Sequence, residues 1–339
     1  MLTRPLGLTG ISIAPVSFGA GPVSQLLVGA HRQTQLETIA RAVELGVRWF
    51  DTAATYGEGR SEENLGRALT ELGLQDEVDV ATKVRIMPDE LGRIGDVARA
   101  SVAASLKRLR RERVTLLQVH NSITTEAGAQ PTSLTPAHLL ASGGLLQAMD
   151  QMRREGLVEH LGLTGLGEPA ALKEVIDSRQ FATIQTPYHL LNASAGHDAP
   201  PGFAETDYGN VIAACQRQGM GVFVIRVLAG GALAGKPPSP HTLKTPFFPL
   251  ALYQQDCARA ERLTEILPSG MRREETAVRF ALSHPAVTSA IIGFATPAEV
   301  AEAVSFAYRG PLGTDLLRRL TDFAWDQPAQ AQVRPTQNC

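Results

Sequence analysis

Gly46-Val47-Arg48-Trp49-Phe50-Asp51-Thr52-Ala53-Ala54-Thr55-Tyr56-Gly57 is the stretch on which the fold turns. A helical pattern ends at Gly46, where the left-handed backbone that closes a helix favours glycine. The following residues, 47–51, are mostly apolar up to Asp51, as a strand buried on both faces requires. Small and polar residues carry the chain to Tyr56. Ser61-Glu62-Glu63-Asn64 then opens another helix, with a hydroxyl to cap it and two acids where the helix dipole favours them. Helix, buried strand, loop and helix make one unit of a parallel α/β protein.

The same unit recurs in both directions. Strands are expected at 14–18, 47–51, 78–82, 116–120, 160–164, 183–185, 222–226 and 289–293, and helices at 35–45, 61–72, 94–110, 144–156, 169–178, 207–219, 273–283 and 297–307. That count is the count of a closed (β/α)8 TIM barrel, with an open doubly wound sheet as the alternative. The run Leu6-Gly7-Leu8-Thr9-Gly10-Ile11 predicts an N-terminal β-hairpin before the first barrel strand. Two stretches break the repeat, 121–142 after the fourth strand and 230–250 after the seventh. Both leave the carboxyl ends of their strands, where barrels carry their sites. Residues 1–326 are expected to form a single barrel, and the polar, proline-containing tail 327–339 to be disordered.

Composition narrows the partners. Of 339 residues 44 % are hydrophobic, enough for a large core, and the net charge is −2, with no basic face for nucleic acid or an anionic membrane. The basic run 107–113 reads as a solvated helix end. No stretch approaches the roughly 18 apolar residues of a membrane span, and the amino terminus has no apolar leader core. Cys215, Cys257 and Cys339 are too few and scattered for a disulfide framework, which points to a reducing cytoplasm. No histidine pair has metal-ligand spacing, so no metal is expected. Gly19-Ala20-Gly21 and the glycines of 162–167 do not complete a dinucleotide fingerprint of the open-sheet kind, and no G-x-S-x-G elbow is present. The expected assembly is a monomer or small homo-oligomer.

Four polar residues fall at or just past the ends of consecutive apolar strands: Asp51, Tyr56 in the next loop, Lys83 and His120. In a barrel those strand ends converge on one mouth. A tyrosine hydroxyl, with a pKa of about 10 in isolation, exchanges protons poorly at neutral pH. An ammonium beside it favours the phenolate. Asp51 would hold Lys83 charged, His120 would orient the substrate oxygen, and Tyr56 would act as acid or base.

The same residues carry a resemblance. The quoted stretch, followed by Ser61-Glu62 and Leu65-Gly66, resembles the signature of the aldo-keto reductase superfamily. Thr82-Lys83 and the strand ending in His120 match its next blocks. Leu161-Gly162-Leu163-Thr164-Gly165, Gln185 with Tyr188 and Asn192, Leu228-Ala229-Gly230-Gly231-Ala232-Leu233 and Ile291-Ile292-Gly293 resemble the later ones. The resemblance implies a catalytic tetrad of Asp51, Tyr56, Lys83 and His120, and a nicotinamide cofactor whose carboxamide is held by Thr164 and Gln185. Gly19, Leu228, Gly293 and Thr296 would also lie along the cofactor. Gly165 stands where an amide side chain is common. Ile225 or Arg226 stands near the usual ring-stacking aromatic, and gapless alignment favours Ile225. The Thr-Gly-Leu variant and the long loop after strand four look most like the aldose-dehydrogenase branch, which includes L-galactose and D-threo-aldose dehydrogenases.

NADP-binding members usually carry Arg or Lys at the start of the helix after the last strand. Here 293–303 has neither, and Glu299 stands in the place, which predicts NAD, with NADP as the alternative. The expected substrate is a sugar or another small carbonyl or alcohol, met by Asn121, Tyr56 and His120, and the expected reaction is oxidation of an aldose at C1 to a lactone. The alternatives are a broad NADPH-dependent aldehyde or ketone reductase and, in another class, a cofactor-binding regulatory protein with little turnover.

Overall fold

The computed structural model describes residues 2–326. The expectation for 327–339 lies outside the described residues. Strands β1 (Arg4–Pro5) and β2 (Ser12–Ile13) form the antiparallel hairpin, Arg4 opposite Ile13. Eight parallel strands then close on themselves: β3 (Val16–Gly19), β4 (Trp49–Asp51), β5 (Asp79–Val84), β6 (Val114–Val119), β7 (Val158–Thr164), β8 (Thr183–Pro187), β9 (Gly221–Ile225) and β10 (Ser289–Gly293). β10 closes the ring by pairing Ala290 with Val16. The protein is therefore a (β/α)8 barrel, and each expected strand falls on an observed one.

Alternation along the strands explains both the core and the site. Phe50, Val80, Leu117, Leu161 and Val222 point outward and pack beneath the helices. Trp49, Ala81, Leu116, Phe223 and Ile291 point inward and form an apolar layer with Leu6 and Ile13 from the hairpin. Trp49 and Phe223 meet there with ring centres 5.0 Å apart. The hairpin plugs this end closely: a Cβ on Gly221 would stand 2.5 Å from the Leu6 side chain. Two residues further along the strands, the inward positions change from apolar to polar: Asp51, Lys83, Gln118 and Gln185. The apolar layer is thus the floor on which the polar layer rests.

Several local expectations change. Ser61 is not the cap of its helix, which runs Arg60–Glu71 after Gly59 (φ 90°). Its hydroxyl instead donates to the Ala20 carbonyl at 2.8 Å and meets Thr52 Oγ1 at 2.9 Å, tying the helix start to two strand ends. Arg108, read as part of a solvated run, reaches the fully buried Glu62 carboxylate, with Nη2 2.6 Å away. The loop after β6 is organised: Ile123 bridges to Leu134 and Gly167, and a short helix, Pro136–Leu140, follows. After β9 comes a turn, Ala229–Ala234, in which Gly230 and Gly231 take φ of 70° and 109°, and then a helix the sequence reading missed, Leu250–Arg262. A further helix, Thr314–Trp325, follows Pro297–Tyr308. Among the described residues no helix is long and apolar enough to cross a membrane.

Candidate active site

The polar layer forms one hydrogen-bonded cluster at the carboxyl end of the barrel. Lys83 Nζ donates to Asp51 Oδ1 at 2.5 Å, to the Thr52 carbonyl at 2.8 Å and to the Tyr56 hydroxyl at 3.2 Å. Asp51 and Lys83 are both about 2 % exposed, so their pairing takes place in a low dielectric, where it is strong and an unpaired partner would be costly. Burial works against the Lys83 ammonium, but Asp51 and Tyr56 more than offset it and hold its pKa above the ordinary value. The carboxylate of Asp51 is fully engaged: Gln185 Nε2 donates to Oδ1 at 3.1 Å and Gln118 Nε2 to Oδ2 at 2.9 Å.

His120 stands edge-on to Tyr56, ring centres 5.7 Å apart, with Nδ1 3.3 Å from the Thr55 hydroxyl. Burial, then the charges of Lys83 and Arg85, push its pKa well below 6.5, so the ring is neutral at ordinary pH. The structure therefore brings Asp51, Tyr56, Lys83 and His120 together. Such a cluster can exchange a proton at the Tyr56 oxygen while an adjacent ammonium stabilises the negative form.

A cavity of about 360 Å³ opens from this cluster. Its walls include Asp51, Tyr56 and Gln185 from the cluster, together with Gly19, Ser24, Ile225, Arg226, Leu228, Lys236, Gly293 and Ala295. The lining is mostly apolar, with the Gln185 amide and the Lys236 ammonium among its few polar groups, a composition that suits a cofactor or small-molecule ligand.

Other expected contacts lie elsewhere. Thr164 is 3 % exposed and is not in the cavity wall; its hydroxyl donates to the Val119 carbonyl at 3.0 Å. Gly165 leaves no room for the amide side chain common at this place: a Cβ would stand 2.8 Å from Thr186 Cβ. Thr296 caps the helix Pro297–Tyr308, accepting from the Glu299 amide. Asn121 is fully buried: its Oδ1 accepts from the Ile86 amide and its Nδ2 donates to the carbonyls of Ile86 and Thr132, so it braces two loops.

Glu299 is engaged through both of its oxygens. Its Oε2 accepts from the Ala295 amide at 2.8 Å and its Oε1 pairs with Lys236 Nζ at 2.6 Å. The cation missing from 293–303 is delivered by the loop after β9, a pairing across 63 residues of sequence that spacing does not reveal.

Three residues that sequence reasoning passed over also belong here. Gln118 lies in β6 two positions before His120, where strand alternation turns it inward, and Arg85 follows Lys83 by two just past the carboxyl end of β5. Asp256, in the unforeseen helix, accepts from Arg226 Nη2 at 2.8 Å, while Phe248 lies 4.2 Å from that guanidinium. Burial pushes the Asp256 carboxyl up to about 7, against the pull of Arg226.

Comparison with known proteins agrees with this geometry. The chain is similar to L-galactose dehydrogenase of Arabidopsis thaliana, 23 % identical over 304 residues, covering 89 % of this chain and 86 % of that protein. It is similar to D-threo-aldose 1-dehydrogenase of a Pseudomonas species, 24 % identical with 96 % of each covered. Among solved structures, the holo form of an aldo-keto reductase from Bacillus halodurans superposes with a TM-score of 0.72 at 20 % identity, over 97 % of this chain and 99 % of that one. The profile of the Aldo/keto reductase family matches residues 15–323, nearly the whole barrel, and the chain belongs to that family of nicotinamide-dependent oxidoreductases.

Proposed function

We propose that the protein oxidises an aldose at its anomeric hydroxyl to a lactone, with NAD as cofactor and Tyr56 as the acid/base. The observation that carries this reading is the chain of contacts from Asp51 through Lys83 to Tyr56, at 2.5 Å and 3.2 Å, with Asp51 and Tyr56 in the wall of a cavity of about 360 Å³. The nicotinamide, when bound, accepts or supplies the hydride. Gln185 and the apolar Ile225 would hold its ring end, and Ser24, Gly293 and Ala295 would face its far end. In oxidation Tyr56 takes the proton of the substrate hydroxyl, and the Lys83 ammonium, 3.2 Å from the Tyr56 oxygen, lies where it stabilises negative charge on that oxygen. In reduction the same oxygen donates. Neutral His120 turns a ring nitrogen toward the reacting oxygen and fixes its direction. The floor of Trp49, Phe223 and Leu6 bars water from below.

Support for an aldose comes from the two sugar dehydrogenases to which most of the chain is similar. Support for NAD comes from the Glu299 carboxylate, which can accept from a free ribose hydroxyl. Lys236, 2.6 Å from Glu299, favours a second reading, an NADPH-dependent carbonyl reductase in which that lysine turns to a 2′-phosphate. The test is reduction of NAD and NADP with a panel of aldoses by the wild type and Tyr56→Phe. Turnover with NAD that collapses in Tyr56→Phe supports the proposal. Activity confined to NADPH and aldehydes replaces it with the second reading. Tight cofactor binding without turnover on any substrate would favour a regulatory role.

A further inference from the structure

Arg85 lies just past the carboxyl end of β5, two residues after Lys83. It is close enough to the reacting groups for charge to be felt: Tyr56 acts on Arg85, and Arg85 acts on His120. The other cations around the site have carboxylate partners: Lys83 has Asp51, Arg226 has Asp256 and Lys236 has Glu299. Among the described residues Arg85 has none, and its Nε is buried without a hydrogen-bond acceptor. The Phe247 ring lies 5.7 Å from the guanidinium.

This is an unusual state for a guanidinium. A buried N–H left without an acceptor is costly, and groups of that kind in native proteins call for a specific explanation. Nε–H and the adjacent Nη–H form the fork that matches two oxygens of one acid group. Phe247 lies beside the guanidinium as an apolar neighbour and supplies no acceptor for it. We propose that Arg85 binds an anionic group on the substrate, a carboxylate or a phosphate monoester, and that the enzyme prefers hydroxy and oxo compounds bearing such a group over their neutral counterparts. Sugar acids and sugar phosphates belong to this class, and the proposal rests on the reading of Tyr56 as the acid/base above.

The experiment compares matched pairs on the cofactor-loaded enzyme: glucuronate with glucose, 4-oxobutanoate with butanal, and glyceraldehyde 3-phosphate with glyceraldehyde. The wild type, Arg85→Met, Arg85→Lys and Tyr56→Phe are assayed, and cofactor fluorescence confirms that each variant is folded. The wild type should favour the anionic member of a pair. Arg85→Met should lower kcat/KM for that member about 10- to 100-fold more than for the neutral one, mainly through KM, as loss of a charge-assisted fork predicts. Arg85→Lys should restore part of the difference. Whether the carboxylate or the phosphate pairs show the larger effect identifies the acid group. Equal losses for both members, or a wild-type preference for the neutral one, would overturn the proposal and leave Arg85 as a support for the loop bearing Phe247. Failure of the underlying reading looks different: Tyr56→Phe would then retain activity on both members. If no pair is turned over, calorimetric titration of the cofactor complex with succinate and with inorganic phosphate decides. Binding lost in Arg85→Met supports the proposal, and absence of binding by the wild type refutes it.

Discussion

Gln118 donates through Nε2 to Asp51 Oδ2 at 2.9 Å, holding the oxygen that Lys83 leaves free. The Gln118 side chain is fully buried and its own Oε1 has no partner, so one end of the amide is committed to Asp51 while the other goes unsatisfied. That arrangement makes sense where orientation of the carboxylate matters more than local stability. Gln118→Leu removes both the useful donor and the orphan acceptor. It should leave the melting temperature nearly unchanged and lower kcat by about tenfold, the effect of one hydrogen bond to a charged group. Gln118→Glu should be worse, because two carboxylates side by side compete for one proton. Steady-state kinetics and thermal melts on both variants test this, and an equal loss of stability and activity in Gln118→Leu would reduce the residue to packing.

The 3.2 Å contact between Lys83 and Tyr56 predicts a different pattern for the acid/base itself. Tyr56→Phe keeps the ring against His120 and removes only the oxygen. Its kcat should fall by about 100- to 10,000-fold, the usual contribution of a positioned proton donor, with cofactor affinity little changed. Lys83→Met should fall as far and also lose stability, since it strands Asp51 as an unpaired buried charge, at a cost of about 3–5 kcal/mol. Stopped-flow hydride transfer and denaturant melts separate the two. A Tyr56→Phe enzyme of near-normal rate would remove tyrosine from the chemistry.

How much of this was legible in the sequence follows from how each residue does its work. Asp51, Lys83 and His120 end consecutive strands, and strand ends in a parallel barrel meet by topology alone, so spacing was enough. Ser61 was misread as a helix cap because its hydroxyl serves the backbone of a distant segment, at Ala20, and the bracing of Thr132 by Asn121 is likewise recorded in no local pattern. The helix Leu250–Arg262 was missed for a related reason: it buries Asp256 and Arg259 beside Tyr253 and Ala260, so its inner face is not an apolar stripe. Arg259 is fully buried there and donates to the Leu191 and Ala324 carbonyls as well as pairing with Glu205, a set of partners assembled from three separate segments.

Cofactor choice turns on the pair Lys236 and Glu299. Glu299→Gln keeps an acceptor for the Ala295 amide and frees the lysine for a 2′-phosphate. It should shift the NADP-to-NAD ratio of kcat/KM upward by about tenfold, the worth of one charge-assisted hydrogen bond. Lys236→Met should shift the ratio the opposite way by a similar factor, about tenfold, because the phosphate then has no ammonium to meet. Parallel titrations of both cofactors, read by fluorescence as well as by rate, check the pair. A ratio indifferent to both substitutions would show that the adenosine end lies away from this ion pair.

The histidines predict the course of stability with pH. Burial, then neighbouring cations, push His120 and His189 well below 6.5, the cations being Lys83 and Arg85 for the first and Arg226 and Arg259 for the second. His160, His197, His241 and His284 are lowered as well, with burial the largest cause in each. In the unfolded chain these rings take a proton near their ordinary pKa of about 6.5, while the folded protein does not. The unfolded state therefore binds more protons below that pH, so the stability these groups contribute is complete above it and is lost as pH falls toward their folded values. Asp256, pushed up to about 7, and Glu205 and Asp79, also raised by burial, run the other way, because the folded state holds their protons longer. The imidazoles outnumber them, and two are displaced strongly, so the net slope follows the histidines. Thermal melts between about pH 8 and about pH 5.5 should show the melting temperature falling as pH drops below the ordinary histidine value. His189→Gln, which removes a strongly displaced ring from beside Arg226 and Arg259, should flatten that fall. A melting temperature that holds steady or rises through this window would show that the buried rings already carry their protons in the folded protein. In that case His120 would face the substrate as a cation rather than as a neutral donor.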